Sequence, residues 1–265
     1  MAFAQAHNRR PIEGAVATLG VSDRVAFLRK TYAHLGVALI AFAAITGGMI
    51  RFMPEVSWGF SKWALQGRWT WLAVLALFML VGYVAERLAR SETSRGLQYG
   101  GLGLAVVAEA VLLQPMIWLL MLRFGAYSKA DAAVFLHGGA VPAMNGAAAE
   151  ILLQAIVITL AIFIGLTLIV FLTKKDFSFM RGALMLCSFA AVGVVVASLM
   201  FGFHLGAIFS GLMVLLMAGY ILYQTSLIMK EFPPTAFVAA SLMLFSTIAT
   251  LFWYVLRLLM SLRSD

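Results

Sequence analysis

The chain has 265 residues, of which 63% are hydrophobic and only 11% charged, whereas soluble domains carry about 25% charged residues, so a water-soluble fold is excluded and the solvent must be lipid. The net charge of +8 is spread between apolar runs with no block of five Lys or Arg, which argues for topology signals rather than a nucleic-acid surface. The single cysteine, Cys187, lies inside an apolar run and excludes an internal disulfide and a cysteine-based metal cluster.

Residues 1–30 read as a polar cytoplasmic tail ending in a short amphipathic stretch around Val25, Phe27 and Leu28. Arg9, Arg10, Glu13, Asp23 and Arg24 interrupt it before any apolar run, so it is not a secretory signal. Residues 31–262 read as one all-α transmembrane domain of seven spans, at about 31–50, 69–85, 96–122, 147–173, 180–203, 205–229 and 236–262, each long enough to cross a bilayer as a helix. Trp58, Trp63 and Trp69 place the connection after the first span at headgroup level. The third span is unusually long and interrupted by Pro115. Phe135, Leu136, Val141 and Pro142 suggest that the connection from Arg123 to Gly146 lies on or dips into the bilayer surface. Lys174, Lys175 and Asp176 form a tight charged turn, and only Gly202 to Gly206 are free to turn between the fifth and sixth spans. Twelve of the 19 basic residues fall on the side of the N-terminus, which predicts a cytoplasmic N-terminus and an external C-terminus.

The seventh span carries Thr247, Thr250, Tyr254 and Arg257 at steps of three, four and three, so they share one helix face. Ala236, Ala240 and Met243 extend that face. Lipid does not reward a hydroxyl stripe, whereas neighbouring helices do, so the last helix is expected at the centre of the bundle. The alternative is that the hydroxyls bond back to their own helix. Glu109 is an acid near the middle of the third span, where a charge costs at least about 2.5–3.5 kcal/mol. A buried partner, a water-filled path or a proton must offset it, which leaves a structural role and an ion or proton path both open. Gln114 is about 140° round the helix from Glu109, and Pro115 frees the carbonyl of Val111, either to solvate a cation or to kink the helix. Glu150 and Gln154 share a face and read as an interfacial pair. His34 and His204 are expected to be hydrogen-bonded structural residues, and the 15 methionines to be filler rather than a metal path. Gly96 and Gly100 form a weak small-residue packing signal. Gly101-x-Gly103 lacks the third glycine and preceding strand of a nucleotide fingerprint. The spans hold neither a serine–histidine set nor two aspartates, so no enzyme is expected, and no cofactor or metal is implied.

Three stretches carry a family resemblance: Phe27 to Tyr32; Thr173-Lys174-Lys175-Asp176-Phe177-Ser178-Phe179; and Ser210-Gly211 through Tyr220-Ile221-Leu222-Tyr223 to Leu251-Phe252 and Leu256 to Leu259. In order and spacing the chain resembles the Bax inhibitor-1, or transmembrane Bax inhibitor motif, family over roughly residues 25–262. The resemblance implies seven helices with the last one central, and a passive, pH-sensitive calcium leak. It places two aspartates of the family at Gln224 and Thr247, neither an acid here, and an arginine at Arg87. The chain thus looks like a divergent bacterial-type member of an inner (plasma) membrane. Its ion-path candidates are Glu109, Gln224, Thr247, Thr250, Tyr254 and Arg87. Lipid is the expected partner, with calcium or protons as permeants and weak pH gating. The alternative function is a non-conducting regulator of another membrane protein, such as a membrane protease.

Overall fold

The computed structural model describes residues 16–18, 20–91, 94–125, 144, 146–173 and 175–263. Among these there are eight helices and no strand: α1 Val21–Phe52, α2 Pro54–Leu65, α3 Arg68–Ala89, α4 Arg95–Phe124, α5 Gly146–Thr173, α6 Arg181–Phe201, α7 Ala207–Glu231 and α8 Phe237–Leu262. All but α2 are long and apolar enough to cross a membrane. The spans alternate in direction. The end of the bundle where α1 begins is called the near end below, and the opposite end the far end.

Two expected boundaries differ. Val21 to Lys30 are not tail but the first three turns of α1. Nothing after Gly20 breaks the helix, and Asp23 in its first turn complements the helix dipole. Upstream, Val16–Thr18 form a 3-10 turn, and the Val16 amide donates to the Phe232 carbonyl at 3.1 Å, which docks this segment at the near end of α7. The tryptophan-bearing connection is also helical. Pro54 cannot extend α1, because it lacks an N–H, but it suits a first turn, so it ends α1 and starts α2. Ser57, Ser61 and Ala64 form the buried face of α2, while Trp63 stays exposed. The other span limits differ by at most four residues. The expected surface segment with Phe135, Leu136, Val141 and Pro142, and also Lys174, lie outside the described residues.

α8 is buried on nearly all sides and touches α1, α3, α4, α5 and α7. This bears out its central place. α4 is a second interior helix, which its sequence did not announce. Its Pro115 does not interrupt it. Instead Gln114, fully buried, folds its amide onto the carbonyl of Ala110 at 3.0 Å and that of Thr46 at 3.3 Å, while its Oε1 accepts from the Ser57 hydroxyl at 2.7 Å. The Trp118 indole N–H reaches the same Ser57 oxygen at 2.7 Å, so α2 is pinned to α4 by a satisfied polar network in an otherwise apolar setting. α3 crosses α4 at Gly101: a Cβ there would stand 2.5 Å from the Ala85 carbonyl oxygen and 2.6 Å from the Ala89 nitrogen. Gly100 has open space at that position, and at Gly96 the nearest atom is the Ser94 hydroxyl at 3.5 Å, so the close approach belongs to neither of the two glycines expected to make it. α6 is peripheral, with only Leu184 and Ser198 buried. It turns into α7 through Gly202, whose φ of 79° favours glycine.

Candidate functional site

Glu109 stands on the buried part of α4 and forms the floor of a cavity of about 630 Å³ between α3, α4, α6 and α8. No hydrogen bond or ion pair reaches its carboxylate among the described residues. The cavity runs toward the far end, because its other polar lining comes from Arg68 at the start of α3, Ser198 in the last turn of α6, His204 in the α6–α7 turn, and Thr250, Tyr254 and Arg257 on successive turns of α8. From Thr250 to Arg257 the rise is about 10 Å at 1.5 Å per residue, so the path from the guanidinium to the middle of the bundle is short.

The far mouth is basic. Arg257 is half-buried and donates to the Leu205 carbonyl at 2.7 Å, and Arg68 donates to the Met200 carbonyl at 3.1 Å. Each arginine therefore ties α3 or α8 to the end of α6 or the turn after it, and neither pairs with Glu109. Tyr254 sets its ring edge-on to Phe209 at 6.1 Å. The hydroxyls of α8 divide between the two expected behaviours. Thr250 bonds back to the Ser246 carbonyl at 2.8 Å, whereas Thr247 donates across to Gln224 Oε1 on α7 at 2.8 Å, with the Met243 carbonyl a longer alternative at 3.2 Å.

Thr247 lies one turn nearer than Thr250 to the near end, so the Gln224–Thr247 bond crosses the bundle just beyond the cavity floor. The structure thus brings Glu109, Thr250, Tyr254 and Arg257 to one cavity and joins Gln224 to Thr247 beside it. Arg87 is not with them. It is exposed in the last turn of α3 and does not line the cavity. Arg68 and His204 join the lining unforeseen. A lone arginine at a span end and a lone histidine in a turn carry no periodicity, and only the spatial return of α6 onto α3 places them together.

The remaining polar candidates lie outside the cavity and engage other protein groups. His34 Nδ1 meets the Lys30 carbonyl at 2.7 Å, so that nitrogen carries the proton, and Nε2 faces the Tyr99 hydroxyl at 3.1 Å. Glu150 pairs with Arg263 at 3.3 Å, and Gln154 accepts from the same guanidinium at 3.4 Å. At the near end Asp176 pairs with Lys230 at 2.6 Å and accepts from Ser226 and from the hydroxyl and amide of Ser178. Among the described residues no three His, Cys, Asp or Glu gather as a metal site.

Known proteins are similar to this chain in sequence. Over residues 132–264 the chain matches the family described as inhibitor of apoptosis-promoting Bax1. It is 26% identical to Bax inhibitor 1 of the fission yeast Schizosaccharomyces pombe over 260 residues, 94% of this chain and 82% of the relative. It is 31% identical to an uncharacterized membrane protein of Vibrio cholerae over 135 residues, 47% of this chain and 58% of that one. It is 30% identical to the Golgi anti-apoptotic protein of Vaccinia virus over 115 residues, 42% of this chain and 47% of that one. The last two matches take in about half of each relative's own length. No solved structure matches. With the family match covering half of the chain and the seven spans in place, the chain belongs to the Bax inhibitor-1 family.

Proposed function

We propose that this multi-pass membrane protein is a passive leak pathway for protons, with Glu109 as the group that takes up and releases them. The observation that carries the reading is a carboxylate at mid-span with no partner among the described residues, on the floor of a cavity that opens toward the far end. An intramembrane acid that no cation neutralises needs water or a proton beside it, and the cavity has room for water. Calcium is a poorer candidate. Arg68 and Arg257 flank the route to Glu109, and fixed positive charge in a low-dielectric passage repels a divalent ion more strongly than it repels a proton carried by water. The neutral Gln224–Thr247 bond is the barrier between the cavity and the near end. Neither partner titrates, so the barrier opens with weak pH dependence.

The near end is proposed to be cytoplasmic. Lys30 and Arg95 stack over Phe237 there, and Arg90 over Phe232, in keeping with the excess of basic residues on that side. A bacterial plasma membrane is the proposed setting, supported by the Vibrio cholerae relative. We propose no enzymatic reaction. A second reading, a regulator that binds another membrane protein without conducting, is favoured by the closed Gln224–Thr247 contact and by the anti-apoptotic name of the viral relative.

Purified protein in liposomes with an internal pH dye separates the two. The leak reading expects proton flux well above protein-free liposomes, reduced at least tenfold by Glu109→Gln, with calcium flux near background. No flux from the parent protein favours the regulator. Equal flux from parent and Glu109→Gln removes Glu109 from the path.

A further inference from the structure

α1 and α5 meet near one end of the bundle and part toward the other. The Tyr32 ring of α1 lies 6.3 Å from Phe163 and 6.0 Å from Phe171 of α5 between centroids, near the near end. Beyond Phe163 the two helices separate, and each packs on α8 instead. The gap between them is an apolar crevice of about 1100 Å³, with Ile117 and Met121 of α4 and Ile248 of α8 as its back wall. Its outer rim includes Ile40, 72% exposed. Since α1 and α5 are both spans, what lies outside that rim is lipid.

Dimensions and charge fix the occupant. The α1 wall runs from Leu39 to Arg51, about 18 Å at 1.5 Å per residue, and one leaflet's share of the hydrocarbon core is about 15 Å. The crevice therefore has the depth of a single leaflet. Arg51 stands one residue from the end of α1, lines the crevice and is exposed, and it forms no ion pair among the described residues. A guanidinium at the polar end of an apolar slot matches a phosphate above acyl chains, because its planar fork donates two parallel hydrogen bonds to phosphate oxygens. We infer that the crevice binds one phospholipid of the leaflet in which α1 ends, with its acyl chains between α1 and α5 and its phosphate on Arg51. The site is separate from the Glu109 cavity, and it wedges two helices that are otherwise joined at this depth through α4 and α8.

Native mass spectrometry of protein released from phosphatidylcholine bilayers doped with phosphatidylglycerol, or with diacylglycerol of the same chains, tests this. The parent protein is expected to retain one phospholipid, phosphatidylcholine or phosphatidylglycerol, in preference to diacylglycerol. Gly47→Phe enters the crevice from a position with no atom within 4 Å of an added Cβ, and Ile156→Trp fills it from the opposite wall. Either is expected to lower retention at least tenfold while the helical circular dichroism is kept. Arg51→Gln is expected to lower phosphatidylglycerol retention at least fivefold and to leave diacylglycerol retention unchanged. Retention in both filled variants equal to the parent, or a parent that keeps no phospholipid, overturns the site. An unaltered preference in Arg51→Gln overturns the assignment of the phosphate.

Discussion

Asp176 holds two segments together through three residues: its own loop through Ser178, and the end of α7 through Lys230 and, one turn earlier, Ser226. Burial opposes its charge, yet the Lys230 ammonium and the Ser178 hydrogen bonds prevail and hold the carboxyl at about 2, below its ordinary 3.8. A group depressed in this way stabilises the fold above its ordinary value, and the contribution is lost as the pH falls from about 4 toward 2. At neutral pH it is fully present. Asp176→Asn is therefore expected to lower stability by about 2 kcal/mol at pH 7. Thermal melting in detergent checks this: the parent should lose more of its melting temperature than the variant between pH 4 and pH 2. The charged turn was readable as a turn, and its resemblance to the family was readable too. Its role as a latch was not, since Lys230 and Ser226 are about 50 residues away in the chain.

At the scale of elements, lipid removes the usual signal for inside and outside. In water an interior face is apolar and an outer face polar, so the pattern separates them. Here both are apolar, and only hydroxyls, amides and small residues mark a helix contact. α8 was legible because Thr247, Thr250, Tyr254 and Arg257 repeat with helical period. α4 was not, because its polar residues Gln98, Glu109 and Gln114 face different neighbours: Ser91, the cavity and α2. α2 was missed for another reason: its 12 residues cannot span a bilayer, so its helix shows only in Pro54 and in the spacing of Ser57, Ser61 and Ala64. The glycine on which the α3–α4 contact depends was likewise hidden beside two better-spaced ones. Gly101→Ala would drive a methyl against backbone atoms of α3 rather than against a yielding side chain, so the helices must move apart. A loss of about 1–3 kcal/mol is expected, read as a lower melting temperature, whereas Gly100→Ala, at a position with open space, should leave the melt within error.

On the proposed leak reading, the polar path across the molecule is discontinuous. From the far end it passes Arg68, His204 and Arg257 to Glu109. It then meets a neutral bond between α7 and α8, at Gln224 and Thr247. These are the two positions at which the family resemblance places aspartates, and the bond between them at 2.8 Å shows that the positions do face each other. Two carboxylates at that distance share a proton, and its loss leaves like charges between the two helices, which pushes them apart. Gln224 and Thr247 cannot do this; their hydrogen bond contributes about 0.5–1.5 kcal/mol at any pH. On the proposed leak reading, a contact that would titrate as paired carboxylates is here a fixed neutral one, beside an acid that is reached from the other side. Installing Gln224→Asp together with Thr247→Asp should therefore add a pH-dependent step to flux in liposomes between about pH 6 and 8. Thr247→Asp alone, facing the neutral Gln224, should add a smaller one. Glu109→Gln in the double variant should lower the size of the flux without moving the midpoint of the step. A parent protein that already switches steeply over this range, and continues to do so as Glu109→Gln, would place the sensor outside both Glu109 and the α7–α8 pair.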